Sequence, residues 1–294
     1  MKKKSARAFS RIIGVVALLA VFFAAGYFSA RFIAHRHAPP TEPVLAARQQ
    51  PQGNAGSETA SPSRKMSPPV PELPGRQLAI IIDDIGIRRE PVERLLAAGI
   101  PLTFSVMPDQ PHTKDLAARI AATGQEVMLH LPMEPENERM NDPGTGALLV
   151  TQPDQDIRAI IAHDVEQMPQ AKGVNNHMGS LFTQNERKME VVLAELKRRG
   201  LFFIDSLTSP ASVGFAVARR MGLKTAARRI FLDDDNNGDA IARNLRLAIE
   251  LAAKEGSVVA IGHPHPATVA AIEKLKDDLV KAGVKPVFAS QVVR

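Results

Sequence analysis

From Leu78 to Arg294 the chain repeats one unit: a short β-branched or aromatic-rich run, a polar loop, an amphipathic stretch and a glycine. The apolar runs are Leu78 to Ile82, Leu102 to Val106, Val127 to Leu131, Gly173 to Asn176, Leu201 to Ile204, Val258 to Ile261 and Val287 to Val293, with a weaker one at Leu223 to Ala226. The amphipathic stretches close on Gly99, Gly124, Gly200, Gly222, Gly256 and Gly283, the residue type that accepts positive φ just past a helix end. Strands alternating with helices at this spacing predict an α/β fold with a parallel sheet. Seven or eight such units in about 220 residues fit a closed (β/α) barrel better than an open sheet.

The first run, LAIIIDDIG, has five apolar residues ending on Asp83 and Asp84 and then Gly86. It is too short for a buried helix and reads as a buried parallel strand. Side chains at the carboxyl ends of such strands meet in a site, so two acids there are candidate functional groups. Successive strand residues point to opposite sides, so the two carboxylates are expected to take separate roles.

Composition excludes several classes of function. Cysteine is absent, which rules out a disulfide framework, a thiol nucleophile and a cysteine-ligated zinc finger. With no Trp and one Tyr, Tyr27, aromatic platforms for sugar stacking or single-stranded nucleic acid are scarce. The net charge of +6 does not point to nucleic acid either, because part of it sits in Lys2, Lys3, Lys4, Arg7 and Arg11, just ahead of an apolar run.

That run, Ile12 to Ala30, has 19 residues without a charge, enough to cross a hydrocarbon core of ~30 Å at ~1.5 Å per residue. Residues 1–11 read as a basic cytoplasmic tail and 12–34 as a single transmembrane helix, an uncleaved anchor in preference to a cleaved signal because a good small-residue exit is missing. Residues 35–75 hold nine prolines among Gln, Ser, Thr and Ala and read as a disordered linker. The expected arrangement is a single-pass protein of the cytoplasmic membrane with a domain, 76–294, on its periplasmic or extracytoplasmic side.

Chemistry-capable residues gather at the predicted strand ends. Asp83 and Asp84 end the first run, His130 the third, Asn175, Asn176 and His177 the fourth and Asp205 the fifth, while His263 and His265 follow the seventh. Singly, each reads as a satisfied polar residue or a helix cap. As a group, carboxylates and imidazoles on one rim indicate a site.

The motifs DDIG, LHLPMEP, NNHMGS, FIDS and GHPHP, in this order, resemble the divergent polysaccharide deacetylases, a remote branch of the NodB-type barrels. The resemblance covers roughly residues 77–294. It implies a distorted (β/α) barrel of seven or eight strands and a hydrolytic site with a divalent metal, zinc being the usual one. It further implies Asp83 as general base, Asp84 and His130 as metal ligands and His263 as general acid. Asp205 is expected to hold His263 in its charged form, and Asn175, Asn176 and His265 to contact substrate. The sequence departs from the family pattern in two places. Where a second metal-binding His is expected, four residues after the first, stands Glu134; the third ligand is therefore Glu134 or, as preferred here, His177. The family's arginine-proline motif is replaced by NNHMGS, which removes the arginine that orients the base.

Two further stretches carry residues of interest. DDDNNGD, Asp233 to Asp239, matches the opening of a calcium loop but lacks its closing Glu, Asn244 standing there, and is expected to be a solvated loop capping a helix from Ala240. Residues 132–152 are expected to form a long loop over the site, where Met133 and Met140 either line a groove or pack. The function expected is removal of acetyl groups from an envelope polysaccharide such as peptidoglycan. The alternatives are a non-catalytic, metal-containing barrel that binds glycan or an envelope protein, and a hydrolase for another bond such as a phosphoester.

Overall fold

The computed structural model describes residues 75–294; the tail, transmembrane and linker readings fall outside the described residues. Among those described, no helix is long and apolar enough to cross a membrane. The strands are β1 Gln77–Ile85, β2 Thr103–Val106, β3 Glu126–Met133, β4 Gly173–Met178, β5 Phe202–Asp205, β6 Thr225–Ala227, β7 Ile230–Phe231, β8 Ser257–Gly262 and β9 Lys285–Val287. The helices are α1 Glu90–Leu96, α2 Thr113–Ala122, α3 Asp154–Gln167, α4 Glu186–Arg198, α5 Gly214–Arg220, α6 Gly238–Glu255, α7 Pro266–Ile272 and α8 Leu275–Ala282. All six helix-closing glycines lie in the left-handed region, as their positions predict.

Every strand pair is parallel, in the order β6-β5-β4-β3-β2-β1-β8-β7, with β9 alongside the start of β1. The sheet is a curled, incompletely closed barrel rather than the closed one expected. Its end strands β6 and β7 are joined by the chain itself: Arg228 N donates to Asp205 O (2.9 Å) and Arg229 N, the next residue, donates to Val259 O (2.8 Å). Two consecutive residues thus reach from the β5 side to β8. Strand β7, two residues long, is one the periodicity does not reveal.

Alternation along the strands sorts the core into two clusters. Leu78, Ile80, Ile82, Phe104, Leu129, Val174 and Phe203 pack outward against the helices, while Ala79, Ile81, Met128, Phe202, Ile204, Val259 and Ile261 fill the barrel interior with Val287, Ala289 and Val292. Continued upward in steps of two, the interior rows 79-81, 128, 202-204 and 259-261 arrive at Asp83, His130, Ser206 and His263. This parity positions the site.

Candidate metal centre and catalytic site

A cavity of about 440 Å³ opens at the carboxyl ends of the strands and is lined by Asp83, Asp84, His130, His177, Arg228 and His263, together with apolar side chains. That volume lies within the ~300–1,000 Å³ usual for small-molecule sites. Contrary to strict alternation, both aspartates face it. The β1–β2 register slips between Ile82 and Ile85, and Asp84 has φ 56°, so the bulge returns its side chain to the interior. Gly86 lets the turn close: a Cβ there would sit 2.9 Å from the Gln110 side chain.

Asp84 Oδ1 is buried and meets no donor in hydrogen-bond geometry among the described residues. It stands 3.3 Å from His130 Nε2 and 3.1 Å from His177 Nδ1, and those two nitrogens are 3.1 Å apart. The state of His130 follows from its neighbours. Asn175 Nδ2 donates to both carboxylate oxygens of Asp83 (2.9 and 3.1 Å), so Asn175 Oδ1 must accept from His130 Nδ1 at 2.8 Å. In the neutral ring that leaves Nε2 with a bare lone pair aimed at an anionic oxygen. Three potential ligand atoms on a triangle of 3.1–3.3 Å edges match the ~3.3 Å separation of ligands around a four-coordinate ion with bonds of ~2.0–2.1 Å. The residues present fit a divalent metal.

The charges are strongly coupled. Burial opposes ionisation of Asp84, but His130 and His177 outweigh it and hold the carboxyl well below its usual range. Burial pushes Asp83 up against the pull of His130 and His263. Burial also opposes the charge on His130, yet the Asp83 and Asp84 carboxylates raise it.

His263 stands across the cavity, its Nε2 3.9 Å from Asp84 Oδ2. Its Nδ1 lies 3.0 Å from Asp233 Oδ1, and its backbone N donates to Asp233 Oδ2 at 2.7 Å, where Thr268 Oγ1 also donates (2.7 Å). Burial works against its charge, but the bond to Asp233 and the Asp83 and Asp84 carboxylates push its pKa up to about 9.

Several expectations change here. Asp233, not Asp205, holds His263. Asp205 has the opposite parity and turns toward α5, where it accepts from Leu207 N (2.9 Å), Ser212 Oγ (2.8 Å) and Phe215 N (2.8 Å). Asp233 is buried rather than solvated; Asn237 caps α6, accepting from Asp239 N. Asn175 is buried with its amide committed to protein, whereas Asn176 lines the cavity while accepting from Ser206 N (2.9 Å) and donating to Met178 O (2.8 Å). Asn175 positions Asp83 and His130 instead of meeting substrate. Glu134 is drawn away from the triangle, its carboxylate accepting from Val150 N (2.6 Å). The loop 134–152 supplies no lining residue to the cavity; Met133 is buried and Met140 exposed. His265 lies beside His263, ring centroids 5.6 Å apart.

Sequence reasoning missed Arg228. Its guanidinium donates to Ser206 O (2.6 Å) and Leu207 O (2.8 Å) and lies over the Phe231 ring at 4.9 Å. It fixes the turn at Leu207, one of four non-glycine residues with positive φ among those described. Three of these, Asp84, Met178 and Leu207, line this cavity, where such strain is expected to concentrate.

The sequence model of the divergent polysaccharide deacetylases matches residues 80–293. The chain belongs to that family. Among curated relatives, the uncharacterized protein YibQ of Escherichia coli (strain K12) is 38% identical over 205 residues, covering 70% of this chain and 63% of the relative. This chain therefore matches less than two thirds of that relative's length. An uncharacterized protein of Haemophilus influenzae is 30% identical over 221 residues, 74% of this chain and 78% of the relative. The crystal structure of an uncharacterized protein from Agrobacterium tumefaciens C58 shares this chain's fold, with a TM-score of 0.70 at 21% identity over 76% of this chain and 92% of that one.

Proposed function

We propose that this protein is a metal-dependent hydrolase that removes acetyl groups from a carbohydrate of the cell envelope, peptidoglycan being the polymer within reach of a tethered domain. The reading is carried by one observation: an orphaned Asp84 oxygen and two imidazole nitrogens converge beside a buried carboxylate and the Asp233-held imidazole of His263 in the same cavity. Asp84, His130 and His177 would hold the ion, two nitrogens and one carboxylate being a donor set that zinc uses in hydrolytic sites. When bound, such an ion polarises an acyl oxygen and makes water more acidic.

The chain's own groups supply the proton transfers. Asp83, held through both oxygens by Asn175, takes the proton of the attacking water. As the bond from acyl carbon to nitrogen or oxygen breaks, His263 gives the proton on Nε2 to the departing amine or alkoxide. Asp233 keeps Nδ1 of that ring occupied and its charge in place. Met178, Leu207 and Phe231 form an apolar wall that suits an acetyl methyl group and sheds water. The basic tail and the 19-residue apolar run of the sequence support a location on the outer side of the cytoplasmic membrane.

Elemental analysis coupled to acetate release tests this. At least one equivalent of zinc or another divalent ion, with acetate freed from N-acetylglucosamine oligomers or acetylated peptidoglycan, is expected. Asp83→Asn should keep the ion and lose the acetate. An ion-binding protein that retains glycan but releases no acetate from any of these would support the non-catalytic barrel instead.

A further inference from the structure

Another acid is buried away from this cavity, at a place where a helix should be apolar. Helix α3 turns Ile157, Ile161 and Asp164 into the protein, the i, i+4, i+7 spacing of a core stripe with a carboxylate as its third member. Asp164 is 1% exposed. Its Oδ2 has no hydrogen-bond partner among the described residues, an arrangement that is costly unless something positive is near.

What faces it is another acid and an imidazole. Donor atoms of Asp109, His163 and Asp164 all lie within 4.8 Å of one another, and His163 Nε2 is 3.3 Å from Asp109 Oδ1. Asp109, in the loop after β2, is the fourth non-glycine residue with positive φ, at 55°. Gln167 clamps it, donating from Nε2 to Asp109 Oδ1 (2.9 Å) and accepting from Asp109 N (3.1 Å). Burial and the Asp109 charge push the Asp164 carboxyl up to about 7.

We propose that Asp109, His163 and Asp164 form a second metal site, for a divalent transition ion of the zinc or manganese class, which staples the β2–α2 loop to helix α3. One imidazole nitrogen with carboxylate oxygens suits those ions, whereas calcium and magnesium prefer oxygen alone. Two carboxylates neutralise the ion, and water completes its shell at the exposed side of His163. The role is structural, and the site shares no residue with the Asp84 triangle.

The test uses the full-length protein, stripped of metal, dialysed against buffered zinc and analysed for bound zinc and melting temperature. Asp84→Ala removes the first site from view. That variant should hold one equivalent of zinc and melt higher with zinc than without. Asp84→Ala/His163→Ala and Asp84→Ala/Asp164→Asn should hold none and gain no melting temperature. His163 is exposed, so its loss leaves the fold intact; if Asp164→Asn unfolds, Asp109→Asn at an exposed position carries the same test. Zinc lost with His163→Ala but kept by the Asp164 and Asp109 variants would mean attachment to a surface histidine and overturn the site. So would an Asp84→Ala protein that binds no zinc. A wild type that keeps its ion after Asp84→Ala but loses it after His163→Ala and Asp164→Asn would support this site and sink the Asp84 triangle.

Discussion

Two carboxylate–imidazole groups face each other across one cavity and are built for opposite tasks. Asp84 meets His130 and His177 with an oxygen that no donor among the described residues satisfies. Asp233 meets His263 with both oxygens satisfied, by the ring, by a backbone N–H and by Thr268. A carboxylate left short of hydrogen bonds among bare nitrogens is ready for a cation. One saturated with donors holds an imidazole and the proton on it. Residue type is the same in both groups, and hydrogen-bond satisfaction tells them apart.

The sharpest way to break this contrast is to remove the first group. Asp84→Ala should lose the ion held by the Asp84 triangle, one equivalent fewer than the wild type by elemental analysis, and reduce acetate release to background in a coupled acetate assay. His263→Ala, on the other side, should keep the ion and lose roughly 10²- to 10⁴-fold in kcat, the usual worth of general acid catalysis. If both variants lost the ion, the division of labour would be wrong.

A smaller effect sharpens the proton side. In the metal-free protein, NMR should find His263 titrating near 9, and Asp233→Asn should bring it back toward the ordinary value of about 6.5. The folded-state pKa is raised, so the stability from this contact is fully present below about 6.5 and fades as pH rises through about 9. Melts of metal-free protein across that window should show the decline in the wild type and flatten in Asp233→Asn. The smallest chemical effect belongs to Asp205→Asn. It should cost about 1–3 kcal/mol of stability in urea, because a buried acceptor of three donors is spoiled, with ion content and kcat near wild type.

Much of the fold was legible because parallel strands announce themselves as apolar runs and helix ends as glycines. The families of strand-end residues were legible for the same reason. Asp205 was misassigned although it ends a strand, since the count of residues from Phe203 puts it on the helix side. Asp84 would have failed the same count but for its bulge, which the pattern of LAIIIDDIG does not disclose. Asp233 was hidden behind a two-residue strand too short for any periodicity. The acidic cluster after it looked like a solvated loop, whereas its first member is buried and the rest are exposed.

By itself the sequence determined the parallel α/β unit, its repetition, the helix ends and the rim on which carboxylates and imidazoles collect, because apolar periodicity and glycine conformation are local properties. Tertiary structure alone decided which acid serves which histidine. Partners 30 residues apart, such as Asp233 and His263, or 92 apart, such as Asp83 and Asn175, meet only when the sheet curls. Only there do burial and the count of donors around each oxygen decide whether it waits for a metal or holds a proton.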